Sequence, residues 1–145
     1  MIFEEARFEY RGYECRVLFQ MGYRCGYIKI PKDHPLCVDD YEYINEFVTC
    51  HGGLMYAAYG LNGEECNDGV WIGFGCYHFD DAVDLEALEK YCPEEFNKYS
   101  REWWEDYANT WPSCDYQTIK TLDFCKDQLK SLAEQLETIK SIKEK

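Results

Sequence analysis

The chain has 145 residues, 46% hydrophobic and 17% aromatic, and 28 Asp and Glu against 15 Lys and Arg give a formal net charge of −13. That length predicts a single domain, residues 1–145, with enough apolar content for a sizeable core. Too few cations argue against direct binding to duplex nucleic acid, and no apolar run approaches the roughly 18 residues of a membrane helix, so neither partner is expected.

In chain order, Ala6 to Tyr10, Tyr13 to Gln20 and Tyr23 to Ile30 are β-prone runs separated by Arg11-Gly12 and Met21-Gly22, where glycine suits a tight turn. In the middle run Cys15, Val17 and Phe19 alternate with Arg16, Leu18 and Gln20, which gives one apolar and one mixed face. Pro31 and Pro35 close the third strand around Lys32-Asp33-His34. Val38 to Phe47 predicts a short helix with Asp39 and Asp40 in its first turn. Leu54 to Tyr59 resumes a strand. Gly60 to Gly69, with Asn62-Gly63 and Asp68-Gly69, predicts a loop or a long hairpin tip. Val70 to Phe74, apolar apart from Gly73, predicts a central strand.

After Asp84 the apolar period changes from two to about 3.6. Leu85 to Tyr91 predicts a short helix, Pro93 opens the next, and Trp103 and Trp104 lie in a third acidic helix ending before Pro112. The last helix is expected from Asp115 as N-cap, with Leu122, Cys125, Leu129, Leu132, Leu136 and Ile139 on one face. Its first half should pack on the sheet. Its second half suits either the core or a homo-oligomer contact with another subunit. The expected class is α+β: an antiparallel sheet of about five strands (residues 6–74) packed by C-terminal helices (residues 85–142), the last one long.

Nine cysteines occur, an odd number, and the opening Met-Ile-Phe-Glu-Glu-Ala-Arg does not read as a secretory signal, so a reducing cytosol is the expected setting. None has C-x-x-C spacing, the strongest signal for zinc ribbons and thioredoxin-like sites.

Three clusters offer chemistry. Arg24, at a strand entrance between Gly22 and Gly26, is a planar, permanently charged fork suited to a carboxylate or phosphate. His51 precedes Gly52 and Gly53, whose backbone N–H groups suit a small anion-binding nest. Cys76, His78, Asp80 and Asp81 follow the central strand. An extended backbone would point Cys76 and His78 the same way, as half a zinc site that His51 and Cys50 would complete if their strands are neighbours. Without paired ligand spacings, no metal is expected. Cys76 with His51 or His78 also offers a nucleophile–base pair, yet its acidic setting opposes thiolate formation. No G-x-S-x-G, P-loop or dinucleotide fingerprint occurs, so no cofactor is expected. Finally, thirteen acidic residues between Glu64 and Asp106 face only Lys90, Lys98 and Arg101, and carry ten of the thirteen net negative charges. Trp103, Trp104, Glu105 and Asp106 make that stretch a candidate face for a basic partner.

Taken in order, these segments resemble a family of small, mostly uncharacterised proteins of bacteriophages and prophages. The matching residues are Gly22, Arg24, Cys25, Gly26 and Tyr27, then His34-Pro35, His51 to Leu54, Gly73, Phe74, Cys76, His78 and Asp81, and Leu132-Ala133-Glu134-Gln135-Leu136. The resemblance spans Tyr13 to Leu136, and Gly75 stands where the family has aspartate, which argues against a mechanism built on that carboxylate. It implies a phage accessory protein in the cytoplasm of the host cell.

The leading expectation is a non-enzymatic counter-defence protein with two alternative partners. Either Arg24, His51, Gly52, Gly53, Cys76, His78 and Asp81 sequester a small anionic, nucleotide-like ligand, or the acidic face blocks a basic surface of a host defence protein. The alternative from another class is a small Cys/His-dependent hydrolase or metal-binding enzyme.

Overall fold

A computed structural model describes residues 2–78, 80–109 and 118–143. Three strands, β1 (Phe3–Tyr10), β2 (Tyr13–Gln20) and β3 (Tyr23–Pro31), form a meander. Then come α1 (Tyr41–Ile44), β4 (Tyr56–Ala58), the hairpin β5 (Gly60–Leu61) and β6 (Glu64–Glu65), β7 (Gly69–Gly75) and β8 (Asp81–Ala82). The chain continues with α2 (Leu85–Tyr91), α3 (Pro93–Phe96), α4 (Arg101–Ala108), β9 (Thr118–Ile119) and α5 (Leu122–Lys143). Arg11-Gly12, Met21-Gly22 and Asn62-Gly63 have positive φ at both residues. That is the type I′ geometry whose twist matches paired strands, and it fixes all three hairpins.

The main sheet has five strands in the order β1-β2-β3-β7-β4, every neighbouring pair antiparallel. Cys15 and Val17 of β2, Ile28 and Ile30 of β3, and Val70, Ile72 and Phe74 of β7 face one side. There they meet Cys125, Leu129, Leu132, Ala133 and Leu136 of α5, all fully buried. Burying each Val, Leu, Ile and Phe side chain of this interface contributes roughly 1.5–3 kcal/mol. A second cluster, Phe19 with Leu88, Phe96 and Trp104, seats α2 to α4 beside the same face. The fold is the expected α+β architecture, with the long helix across the sheet.

Several local expectations change. β1 begins at Phe3 rather than Ala6, and its register shifts between Glu4 and Ala6, so Glu5 is the extra residue of a bulge. A bulge re-aims one side chain, and here it turns the Glu5 carboxylate into the interior. The helix expected over Val38–Phe47 shortens to four residues, because Asp40 is its N-cap, its side chain accepting from the Tyr43 N–H. Gly60–Gly69 does not project as a tip. Its hairpin folds over the outer face of the sheet, where Leu61 packs on Leu18 and Trp71. Asp115 and Pro112 lie outside the described residues; at Leu122 the long helix has Thr121 Oγ1 accepting the Phe124 N–H at 3.1 Å. Its buried stripe runs on to Leu136, with Ile139 packed against the same cluster, so the core claims most of the second half too. Among the described residues, no helix is long and apolar enough to cross a membrane.

Candidate functional site

β7 leaves the sheet at Gly75, and the next three residues diverge. The Cys76 thiol turns inward, 3.7 Å from the Cys125 sulfur. The chain then tightens into a turn in which the Asp81 N–H donates to the His78 carbonyl at 2.9 Å. The strand does not continue, so Cys76 and His78 do not share a face, contrary to the extended-backbone expectation. Asp81 folds back instead, its Oδ2 accepting the His78 backbone N–H at 2.9 Å and the His78 ring Nδ1 at 3.1 Å.

Two further segments bring donors to the same carboxylate. His51 Nε2 lies 2.9 Å from Asp81 Oδ1 and 3.0 Å from Oδ2. Its loop is tied to α5 by the His51 N–H donating to Gln128 Oε1 at 2.8 Å. The short parallel pair β8–β9, Asp81 opposite Thr118, places Lys120 alongside, with Nζ 3.0 Å from Asp81 Oδ1. The Asp81 side chain is fully buried, with four donors around it: two imidazoles, an ammonium and a backbone N–H. Burial alone would raise its pKa, but the bonds from His51, the His78 N–H and Lys120 outweigh it and hold the carboxyl below its ordinary value. An ionised carboxylate only accepts, so each ring nitrogen facing it carries the proton. His51 Nδ1 and His78 Nε2 are left as the second nitrogens of the two rings. The His78 side chain is 35% exposed and that of His51 13%.

Ring packing fixes these orientations. His51 meets His78 and Phe124 edge-on at 5.3 and 5.2 Å, and Tyr77 stacks on His78 at 5.8 Å. Gly52 is what lets His78 sit there: a Cβ at this position would lie 2.2 Å from the ring, and its φ of +68° favours glycine in any case. Gly52 therefore makes room for the ring, and of the two N–H groups of the expected nest that of Gly53 is turned to its own loop. The Gly53 N–H donates to the Cys50 carbonyl, and the His51 N–H is taken by Gln128.

Arg24 is elsewhere engaged. Its Nε and Nη2 hold Glu5 in a bidentate pair at 2.6 and 3.0 Å, and its Nη1 donates to Asp84 Oδ2 at 2.9 Å and to the Lys120 carbonyl at 3.2 Å. Asp84 also caps α2 by accepting the Ala87 N–H through its other oxygen. Burial works against the guanidinium's charge, but Glu5 and Asp84 prevail and raise its pKa. The expected anion-binding fork is already filled by two of the protein's own carboxylates, one of them delivered by the bulge.

Cys76 is set apart for another reason. The hydrogen-bonded Cys125 thiol, together with burial, raises the Cys76 pKa far above neutrality, so it stays a core thiol. Of the acidic-face residues, Trp104 is fully buried, stacked on Phe96, with its Nε1–H donating to the Phe96 carbonyl at 2.6 Å. Only Trp103 of the pair is exposed, stacked on Tyr99 at 4.1 Å beside a cleft of about 250 Å³ also lined by Met21, Glu94, Glu95 and Lys98. Glu105 and Asp106 are exposed, with Glu105 paired to Arg101 at 3.4 Å.

The structure thus gathers His51, His78 and Asp81, and leaves out Arg24 and Cys76. Lys120 was missed because a lone lysine in a loop belongs to no motif, and Glu5 because a bulge has no marker in a Glu-Glu pair. No protein-family model matches the chain, nor does any curated protein or solved structure.

Proposed function

We propose that the protein is a phage accessory protein that binds a small anionic, nucleotide-like ligand at the centre formed by His51, His78, Asp81 and Lys120, and holds it without turnover. The observation that carries this reading is the meeting of two imidazoles and an ammonium, from three separate segments, on one buried carboxylate. Such a carboxylate aligns ring nitrogens for ligand contact, and Lys120 offsets its charge. Tyr77, exposed and stacked on His78, offers a flat surface on which a base could lie. Sequestration fits better than Cys-dependent hydrolysis because the Cys76 thiol is buried and protonated. On the resemblance to phage and prophage proteins, the ligand belongs to a host defence response, and the setting is the host cytoplasm.

The test is native mass spectrometry with a panel of nucleotides and cyclic dinucleotides. A bound species released intact on denaturation, and lost in Lys120→Met and His78→Ala, supports the proposal. Indifference to the whole panel, or turnover of the bound compound, overturns it. A second reading rests on the exposed Trp103: an indole on the same helix as the exposed Glu102 and Asp106 suits a cationic side chain of a protein partner. That complex should weaken steeply with added salt, and salt-independent affinity would sink it.

A further inference from the structure

We infer that His51, His78 and Asp81 bind a divalent transition-metal ion. The inference rests on the proposal that this centre meets the ligand, and it supplies the positive charge an anion needs there. Arg24, the expected cation, is neutralised by Glu5 and Asp84, and Lys120 by Asp81.

The donor geometry suits an ion. One ligand atom from each of the three residues lies within 4.8 Å of the others, and Asp81 Oδ2 stands 3.0 Å from His51 Nε2 and 3.1 Å from His78 Nδ1. Imidazole nitrogens and carboxylate oxygens bind zinc at about 2.0–2.2 Å, and neighbouring ligands on such a shell are about 3 Å apart. The carboxylate is also supported from behind. Its Oδ1 accepts from Lys120 and its Oδ2 from the His78 backbone N–H, the kind of outer hydrogen bonds that aim a ligand oxygen. Lys120 need not leave, because it sits on the other oxygen and is also held by Thr118 Oγ1 and the Asp80 carbonyl.

Two imidazoles and one carboxylate, with the thiol of Cys76 turned away, select zinc, iron(II), cobalt(II) or manganese(II) over calcium or magnesium. Binding takes the place of the two ring protons facing Asp81, which move to the opposite ring nitrogens or to solvent. Three protein ligands leave coordination positions for oxyanion oxygens of a ligand.

The test is titration of the reduced full-length protein with Co²⁺, whose visible bands report nitrogen and oxygen ligation and whose near-ultraviolet thiolate band reports capture by cysteine. The expected result is one ion per chain, no thiolate band, and at least tenfold weaker binding in His51→Ala and in His78→Ala. His78→Ala keeps the test valid if His51→Ala fails to fold, since the His78 side chain is the more exposed of the two and its variant's fold is checked by circular dichroism. No uptake, uptake unchanged in the two histidine variants, or a thiolate band overturns the inference. Repeating the nucleotide panel with and without Co²⁺ separates the two readings. Nucleotide binding by protein that takes up no Co²⁺ overturns the ion alone. Specific Co²⁺ uptake with no nucleotide bound supports the ion and overturns the proposed function.

Discussion

Arg24 and Asp81 are buried charges of opposite sign joined through a single residue: the Lys120 carbonyl accepts from Arg24 Nη1 at 3.2 Å, and its ammonium donates to Asp81 Oδ1 at 3.0 Å. The partners of Arg24 face inward. The Glu5 side chain is nearly fully buried, and Asp84 uses its second oxygen to cap α2. The partners of Asp81 include two rings that each carry another nitrogen, one of them on a partly exposed side chain. Both centres are saturated with hydrogen bonds, so burial and pairing alone do not tell a lock from a site. The difference lies in what the partners have left to offer. A guanidinium held by carboxylates presents nothing to solvent, whereas a carboxylate held by imidazoles presents their far edges.

If that contrast is right, the largest loss of stability belongs to the lock. Glu5→Ala leaves a buried guanidinium with half its anionic partners gone, an uncompensated charge of the kind that costs about 3–5 kcal/mol. Urea unfolding should show the midpoint falling at constant slope. A loss under about 1 kcal/mol would mean that water replaces the carboxylate easily and that Arg24 is no lock. Asp81→Asn should come next, at about 2–3 kcal/mol at neutral pH, because an amide retains one acceptor while its NH₂ confronts donors.

The acid dependence sharpens this second case. The Asp81 carboxyl is held below its ordinary value in the folded chain. Its contribution is therefore complete above the unfolded carboxyl value, near pH 4, and lost as pH falls through the lower folded value. The stability gap between wild type and Asp81→Asn should close progressively below about pH 4. A gap that widens, or shows no narrowing, as pH falls below about 4 would contradict the depressed carboxyl.

The difference between the two centres is also one of legibility. The sheet was written in period-two alternation and in Gly12 and Gly22, and α5 in a stripe of Leu and Cys, because those signals are local and repeat. His51, His78 and Asp81 could be nominated as residue types, and Gly52 as an oddity. Their convergence could not be, since it depends on a turn after Gly75 and on a loop anchored by Gln128 of α5. Arg24 was nominated on its chemistry, yet its fate was set by Glu5, whose inward aim exists only because β1 carries an extra residue. Trp104 looked like its neighbour Trp103, and only the helical phase against Phe96 separates the buried indole from the exposed one. For His51 and Arg24 the missing information was a long-range contact; for His78 and Trp104 it was the local geometry of a turn and of a helix end.

Gly52→Ala probes the site through its support. With φ at +68° and a new Cβ aimed at the His78 ring, it should cost about 1–2 kcal/mol and displace the ring. Ligand or Co²⁺ affinity should drop even in molecules that remain folded. Unchanged affinity would show that the ring's seat is not what positions the donor.

His78→Ala should have the smallest effect on stability and a large one on binding. The side chain is partly exposed, and its ring gives Asp81 one of four donors, while the backbone N–H of the same residue remains. Removing it should therefore cost about 1 kcal/mol or less. His34 is the control within the same chain. It is buried, its Nδ1 accepts the Leu36 N–H at 3.0 Å and its Nε2 donates to the Leu136 carbonyl at 2.8 Å, so neither nitrogen is left over. His34→Ala should unfold at lower urea, with binding intact in the folded fraction, whereas His78→Ala should unfold near wild type and bind at least tenfold more weakly. Were the two variants to trade places, the imidazole with an exposed edge would be the structural one, and a second, outward nitrogen would no longer mark a site.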